Sequence, residues 1–340
     1  MKNKRVLRLV GSVCMVVVLT LTLVLISGCA PAAKYNIGVF QIATHPALDA
    51  ARQGFEDALT AAVEATGENV TYNEQNAAGE PSTAATIAES FVAQGVDLIC
   101  AIATDCVQAA YVAVNETDIP VVFNSVTNPV VAGVVNNWTV PGGQVTGVSD
   151  IAPVEPQLEL IEDILVANNI TFGTLGVIYN PGEANSVYQV DVQLAEAIIA
   201  LSLNITVEKS TVTSTSEVQA AAGALIEQVD AIWVPTDNTV VTAFEAVVGV
   251  AEENDIPLFA ADTSTVERGA IGCWGLDYYD IGYSSGEMAA EILLEGANPA
   301  TMAVQTAPAN RLYLYPEEAE RQGVTIPEDL LDEATEIIED

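Results

Sequence analysis

The residues able to do chemistry in this 340-residue sequence are one histidine, His45, and a set of hydroxyl, amide and carboxylate side chains gathered in six short segments. Three lie in the first half: Gln41–His45, Ala103-Thr104-Asp105 and Ser125–Asn128. Three lie in the second: Asn180–Ser186, Pro235–Thr239 and Ala261-Asp262-Thr263. All are poor in cations. Carboxylates such as Asp237 can pair with an ammonium, and free backbone N–H groups at helix starts can hold a carboxylate without any arginine. Together they suit a zwitterion such as an amino acid. The same Ser, Thr, Asn and Asp residues are also the usual helix N-caps, so each single hydroxyl carries both readings. Asp237-Asn238-Thr239 as a group is read as ligand contact, and His45 as lining the same site. Asp237→Ala is expected to abolish binding without unfolding the chain. With a single histidine there is no nucleophile–base–orienter set and no zinc site. Gly142-Gly143 and Pro181-Gly182-Glu183 are turn signals, and no phosphate-loop motif occurs. The residues therefore point to binding without an enzymatic step, a metal or a cofactor.

Each polar segment follows a short apolar run and leads into a helical pattern. Ile37–Phe40 suits a buried parallel strand, Gln41–Pro46 bends, and Leu48, Ala51, Phe55, Ala58 and Leu59 then recur at helical spacing. Pro46 suits the first helical position and Asp49 the first turn. The same unit returns: a strand at Val70–Asn73 and a helix at Ser82–Gln94, then Val96–Ile102 and Asp105–Val114. A strand at Ile119–Phe123, another at Val145–Val148 and a helix at Glu155–Leu165 complete the first series, and Leu175–Tyr179 begins a second. The halves echo each other: Gly38 and Gly176 stand 138 apart, Asp97 and Asp230 133 apart, and Asp118 and Asp255 137 apart. Three landmarks at nearly one offset predict two similar α/β lobes, each a parallel sheet covered by helices. Right-handed crossovers put the polar segments on one edge of each sheet, and two such edges facing each other make a cleft. The lobes are expected at 35–149 plus 264–300 and at 150–263 plus 301–340. A strand at Ile271–Leu276 and a helix at Ile281–Leu294 belong to the first lobe in this reading, and Thr301–Thr306 to the second. The crossings act as hinges.

The formal charge is −36, from 46 acids against 10 bases. A surface this acidic repels nucleic acid and suits a saline setting. Four of the bases, Lys2, Lys4, Arg5 and Arg8, precede a largely apolar run, Val13–Ile26. That run is short for a membrane-spanning helix and has the outline of a secretory signal. Leu25-Ile26-Ser27-Gly28-Cys29 resembles a bacterial lipobox. The resemblance implies cleavage after Gly28, lipidation of the Cys29 thiol, a signal peptide over 1–28, a tether over 29–34, and a body held outside the cytoplasm on the cell membrane. Cys100, Cys106 and Cys273 remain, an odd number that indicates no disulfide framework. A Cys100–Cys106 bridge stays open, as does a reactive Cys106.

Several longer stretches resemble one family. QIATHPALDAARQGFEDAL from Gln41, NAAGEPSTAATIAESFVAQGVDLICAIAT from Asn76 and VTNPVVAG from Val126 are similar to the substrate-binding lipoproteins of ABC importers. So are GVSDIAPVEPQLELI from Gly147, YNPGEANSVYQV from Tyr179, VDAIWVPTDNTVV from Val229 and PLFAADTSTVERGA from Pro257. The subgroup is the type 1 periplasmic-binding-protein fold whose members take up tryptophan or tyrosine, and the match runs from about Tyr35 to the C-terminus. The resemblance implies two Rossmann-like lobes, a hinged cleft and delivery of a solute to a permease driven by an ATPase. It implies that Asn185 and Ser186 begin the lobe-two helix that receives a carboxylate, and that Asp237 is the ammonium partner with Asn238 and Thr239 beside it. Thr104, Ser125 and Thr127 become the lobe-one wall, and His45 with Pro46 its first loop. The chain departs from its relatives at Asp105, where proline is common, and an added acid there favours a more cationic solute. The other reading of the same fold is a sensor that passes its liganded surface to a membrane receptor.

Overall fold

The computed structural model describes residues 34–308 and 311–339. The expected signal peptide over 1–28, the expected lipidation at Cys29 and the expected tether up to residue 33 lie outside the described residues. Tyr35–Asp340 is one compact unit. Its first half runs β1 (Tyr35–Gln41), α1 (Pro46–Glu64), β2 (Val70–Asn76), α2 (Pro81–Gln94), β3 (Leu98–Ile102) and α3 (Thr104–Ala113), then β4 (Val121–Asn124) and β5 (Val145–Ser149). After a crossing come α4 (Val154–Ala167), β6 (Thr174–Tyr179) and α5 (Ala184–Tyr188), which continues through a π-helical turn (Gln189–Gln193) into α6 (Leu194–Ala200). Then follow β7 (Thr206–Thr211), α7 (Val218–Gly223), β8 (Ala231–Val234), α8 (Asn238–Thr242), α9 (Phe244–Glu253) and β9 (Leu258–Ala260). The tail holds β10 (Gly272–Gly275), α10 (Tyr278–Ala290), β11 (Gln305–Thr306), β12 (Arg311–Leu314), α11 (Pro316–Arg321), α12 (Glu328–Glu333) and β13 (Glu336–Ile337).

Lobe one is a parallel sheet in the order β11-β5-β4-β3-β1-β2, and lobe two a parallel sheet in the order β7-β6-β8-β9. Every residue of β3, β4, β5 and β8 is buried; β3 and β8 accordingly read as continuous apolar runs, while β4 and β5 also bury Asn124, Thr146 and Ser149. The edge strands β2 and β7 are exposed along much of their length. The internal echo has a common geometric cause. Asp97 accepts from the backbone N–H of Asn36 at 2.7 Å, and Asp230 from those of Gly173 and Thr174 at 2.8 and 2.7 Å, so each aspartate pins the start of its lobe's first strand.

The tail differs from the expectation. Strand β10 stays with lobe two, because Ile271 N–H bonds Leu258 O at 2.8 Å and β10 pairs antiparallel with β12. Helix α10 then crosses to lobe one and packs on α1 so closely that a Cβ on Gly54 would lie 2.2 Å from Tyr279 O and one on Gly282 2.0 Å from Ala51 O. Strand β11 pairs with β5 in lobe one, whereas it was expected in lobe two. The apolar pattern of Ile271–Leu276 specifies a buried strand but carries nothing about which sheet receives it. The crossings thus fall after β5, after β10 and after β11. Arg311 ties two of them, pairing with Asp277 at 2.7 Å and Asp280 at 2.6 Å at the start of α10. Cys100, Cys106 and Cys273 are free and buried, with burial pushing each thiol well up, so neither the bridge nor a reactive Cys106 is present.

Candidate functional site

The C-terminal ends of both sheets converge on a narrow cavity, about 310 Å³ of empty space when the solvent at its mouth is included, most of it too narrow for a water. Lobe one contributes His45 after β1, Ala103 and Thr104 after β3, and Ser125 and Thr127 after β4. Two of these positions hold strained backbone: Ala103 has φ +79° and Ser125 φ +58°. Non-glycine residues in that region cost energy and cluster where a chain must aim its backbone at a ligand. Lobe two contributes Asn185 from α5, Thr236, Asp237 and Asn238 after β8, and Asp262 after β9. Asp150, at the first crossing, and Tyr278, at the second, form the back wall: Asp150 accepts from Thr127 Oγ1 at 3.0 Å and from Tyr278 OH at 3.3 Å.

Asp237 is fully engaged by its own lobe. Its Oδ1 accepts from Val240 N–H at 2.8 Å, capping α8, and its Oδ2 accepts from Asn180 N–H and Ser186 Oγ, each at 2.6 Å. Burial, with repulsion from Glu183, pushes its carboxyl up to about 7. Asp237→Ala would strand the donors of Val240, Asn180 and Ser186, so a loss of stability is expected beside the loss of binding. Glu183, which the sequence places in the polar segment Asn180–Ser186 and marks as part of a turn without singling it out, is the second hub. It accepts from the backbone N–H groups of Asn238 and Thr239, both at 2.9 Å, and from their side chains at 2.8 and 2.7 Å.

Three buried polar atoms on residues lining the cavity have no partner among the described residues: His45 Nδ1 from lobe one, and Asn185 Oδ1 and Thr236 Oγ1 from lobe two. Native interiors rarely tolerate this, and each such atom asks for an explanation. The His45 ring reaches across the cleft to Asn238 Oδ1 at 3.4 Å, and its pKa is lowered chiefly by burial.

The nine residues singled out from the sequence sort into three groups. His45, Thr104, Ser125, Thr127, Asn185, Asp237 and Asn238 line the cavity. Thr239 lines a larger outer chamber between the lobes, about 1410 Å³ with the open solvent at its mouth included, along with Asp105 and Glu183. Ser186 lines neither and instead holds Asp237. Sequence reasoning passed over Asp150, Glu183 and Tyr278. The first two sat inside stretches already conspicuous, after β5 and after β6, while nothing local to Tyr278 signals that α10 begins at the cleft.

Residues 36–338 match the family described as ABC transporter substrate binding protein. A tyrosine-binding protein of Clostridioides difficile (strain R20291) is 40% identical over 271 residues, 80% of this chain and 76% of its own. Among solved structures, a conserved domain protein of Vibrio cholerae is 39% identical over 89% of this chain and 99% of its own, with a TM-score of 0.82. An ABC domain from Streptococcus pneumonia in complex with L-Trp is 34% identical over 90% of this chain and all of its own, also at 0.82. A ligand-free, open substrate binding protein with adhesive properties from Clostridium difficile is 35% identical over the same share of this chain and all of its own, but superposes at only 0.64. At nearly equal identity, this chain superposes better on the L-Trp complex than on the ligand-free, open structure.

Proposed function

This chain belongs to the family of ABC transporter substrate binding proteins, and we propose that it captures an amino acid with an aromatic side chain in the interlobe cavity and passes it to a membrane permease driven by an ATPase. The observation that carries the reading is the set of buried, unpartnered atoms facing one cavity from opposite lobes, His45 Nδ1 on one side and Asn185 Oδ1 and Thr236 Oγ1 on the other. A solute bonded to both lobes gains its full binding energy only when they are together, which is the condition for closure on capture. The narrowness of the cavity supports a hinge: no aromatic solute enters until the lobes part. The tyrosine-binding relative and the L-Trp complex support the choice of solute. The pair Asp105 and Glu183 at the outer chamber, with repulsion between them, supports a preference for solutes carrying positive charge. Cleavage after Gly28, a lipid on Cys29 and an extracytoplasmic body on the membrane complete the proposal.

The test is thermal melting of the body from Lys34 against all amino acids, nucleosides, sugars and short peptides. A ligand that binds only the folded state raises the melting temperature by mass action, by about 2.7 kcal/mol of stabilisation at 100 times its Kd. A shift with tryptophan, tyrosine or phenylalanine is the expected result. A shift confined to another class of solute would keep the binding role and discard the amino acid.

A further inference from the structure

Five Asn-X-Thr triplets occur in the chain, beginning at Asn69, Asn115, Asn137, Asn169 and Asn204. With 19 asparagines and 28 threonines among 340 residues, chance spacing gives about one or two, so the triplets are in excess. With X other than proline, the triplet is the acceptor motif for N-linked sugars on a chain that leaves the cytoplasm.

The fold sets all five at the same end of their sheets. The strands of each main sheet run parallel, so the segments that leave the strands build the cleft and those that enter them lie at the opposite edge. Asn69 stands immediately before β2, Asn115 between α3 and β4, Asn169 between α4 and β6, and Asn204 between α6 and β7. Asn137 lies in the long segment from β4 to β5, and the O of its neighbour Trp138 accepts from Val304 N–H at 2.8 Å, directly before β11 begins. That contact sets it at the entering edge of lobe one as well. None of the triplet residues lines the cavity or the outer chamber.

Four of the five are open to reaction. Asn115, Asn137, Asn169 and Asn204 are exposed, and the amide nitrogen of each has no hydrogen-bond partner among the described residues. Asn137 shows most fully how the triplet works. Its Oδ1 accepts from Thr139 N–H at 3.0 Å and from Thr139 Oγ1 at 2.9 Å, which leaves its Nδ2 free. Asn69 differs, being half-buried with its backbone oxygen tied to Tyr35 N–H at 3.3 Å.

We propose that Asn115, Asn137, Asn169 and Asn204 carry N-linked sugars, which cover the ends of both lobes away from the cleft and leave its closure free. The donor is a sugar carried on a lipid phosphate. The asparagine Nδ2 attacks the anomeric carbon and a C–N bond forms. The C–O bond to the phosphate breaks, its electron pair leaves on the lipid phosphate, and the amide gives up one proton. The proposal rests on the extracytoplasmic location argued above, where chain and donor meet.

The experiment takes the full-length protein from the cells that make it, separates membrane from cytosol, and maps its peptides by electron-transfer mass spectrometry. A sugar mass is expected on all four asparagines, with Asn69 bare, and each bare site among the four is struck from the proposal. Protein recovered from the membrane with all four bare overturns the inference and leaves the location standing. Protein recovered only from the cytosol removes both. Thr171 makes no side-chain hydrogen bond among the described residues, so it separates recognition from support. Thr171→Ala is expected to leave Asn169 bare, and Thr171→Ser to keep its sugar. A sugar on Asn169 of the Ala variant contradicts the acceptor role of the triplet.

Discussion

His45 Nε2 donates to Asn238 Oδ1 at 3.4 Å, and this long hydrogen bond joins the first loop of lobe one to the start of α8 in lobe two. It has two consequences. It helps hold the cleft shut, and by fixing the proton on Nε2 it turns Nδ1 toward the role of acceptor. His45→Ala removes both, while the rest of the loop keeps its anchors: Gln41 Nε2 still bonds Ala43 O and Asp49 at 2.7 and 2.8 Å. The variant is expected to fold and to bind about tenfold more weakly, the worth of about one buried hydrogen bond. Calorimetry against the parent protein checks it, and unchanged affinity would take His45 out of the site.

Asp237 separates support from recognition. Asp237→Ala strands the donors of Asn180, Ser186 and Val240 and is expected to cost about 2 kcal/mol of stability. Asp237→Asn keeps an oxygen for the α8 cap and is expected to cost less. If the charge of Asp237 attracts the solute's ammonium, the Asn variant loses affinity out of proportion to its stability. Denaturant melts and titrations of both variants measure the two losses side by side.

The buried carboxyls predict an unusual pH dependence. Burial pushes Asp237 up to about 7 and Asp150 and Asp105 up to about 6, from an ordinary value of 3.8. A carboxyl whose folded pKa is raised binds protons more tightly in the folded state. Its contribution is complete below 3.8 and is lost as pH rises through 6 to 7. His45 acts in the opposite sense, since its lowered pKa gives stability that is complete above 6.5 and lost as pH falls. Three carboxyls outweigh one imidazole, so the protein without solute is expected to melt at a higher temperature at about pH 5.5 than at about pH 8. A melting temperature that climbs steadily over this range would contradict the burial of these acids.

The contact of α1 with α10 has no room for a side chain. A Cβ at Gly282 would strike the Ala51 carbonyl, which is helical backbone and cannot swing aside. Gly282→Ala is expected to cost about 3 kcal/mol, at the upper end for overpacking. Urea unfolding measures it, and a neutral result would mean that α10 does not lie on α1 as described.

The fold was legible in the sequence because its units are short and repeat. Parallel strands buried on both faces write themselves as apolar runs, and Asp97 and Asp230 mark the same place in each lobe because each pins the same strand start. The cleft was legible for the same reason, as polar segments that follow those runs. What escaped was long-range. Neither the sheet that receives β10 nor the convergence of Tyr278 on Asp150, 128 positions away, leaves a local pattern. Glu183 escaped because Pro181-Gly182-Glu183 has the chemistry of a turn, and the partners that make it a hub come from 55 and 56 positions downstream. Whether a polar residue caps, supports or faces a ligand was undecided at Ser186 and Asn185 alike, and only their hydrogen bonds tell them apart.

Capture by closure is the central claim, and a distance measures it most directly. Glu80 and Thr215 are exposed on opposite walls of the outer chamber, and Cys100, Cys106 and Cys273 are buried, so cysteines placed at 80 and 215 in the body from Lys34 take fluorescent labels selectively. The account predicts that energy transfer between the labels rises, in one saturable step, as the aromatic amino acid that raises the melting temperature is added. Binding of that solute with no change in transfer would contradict it.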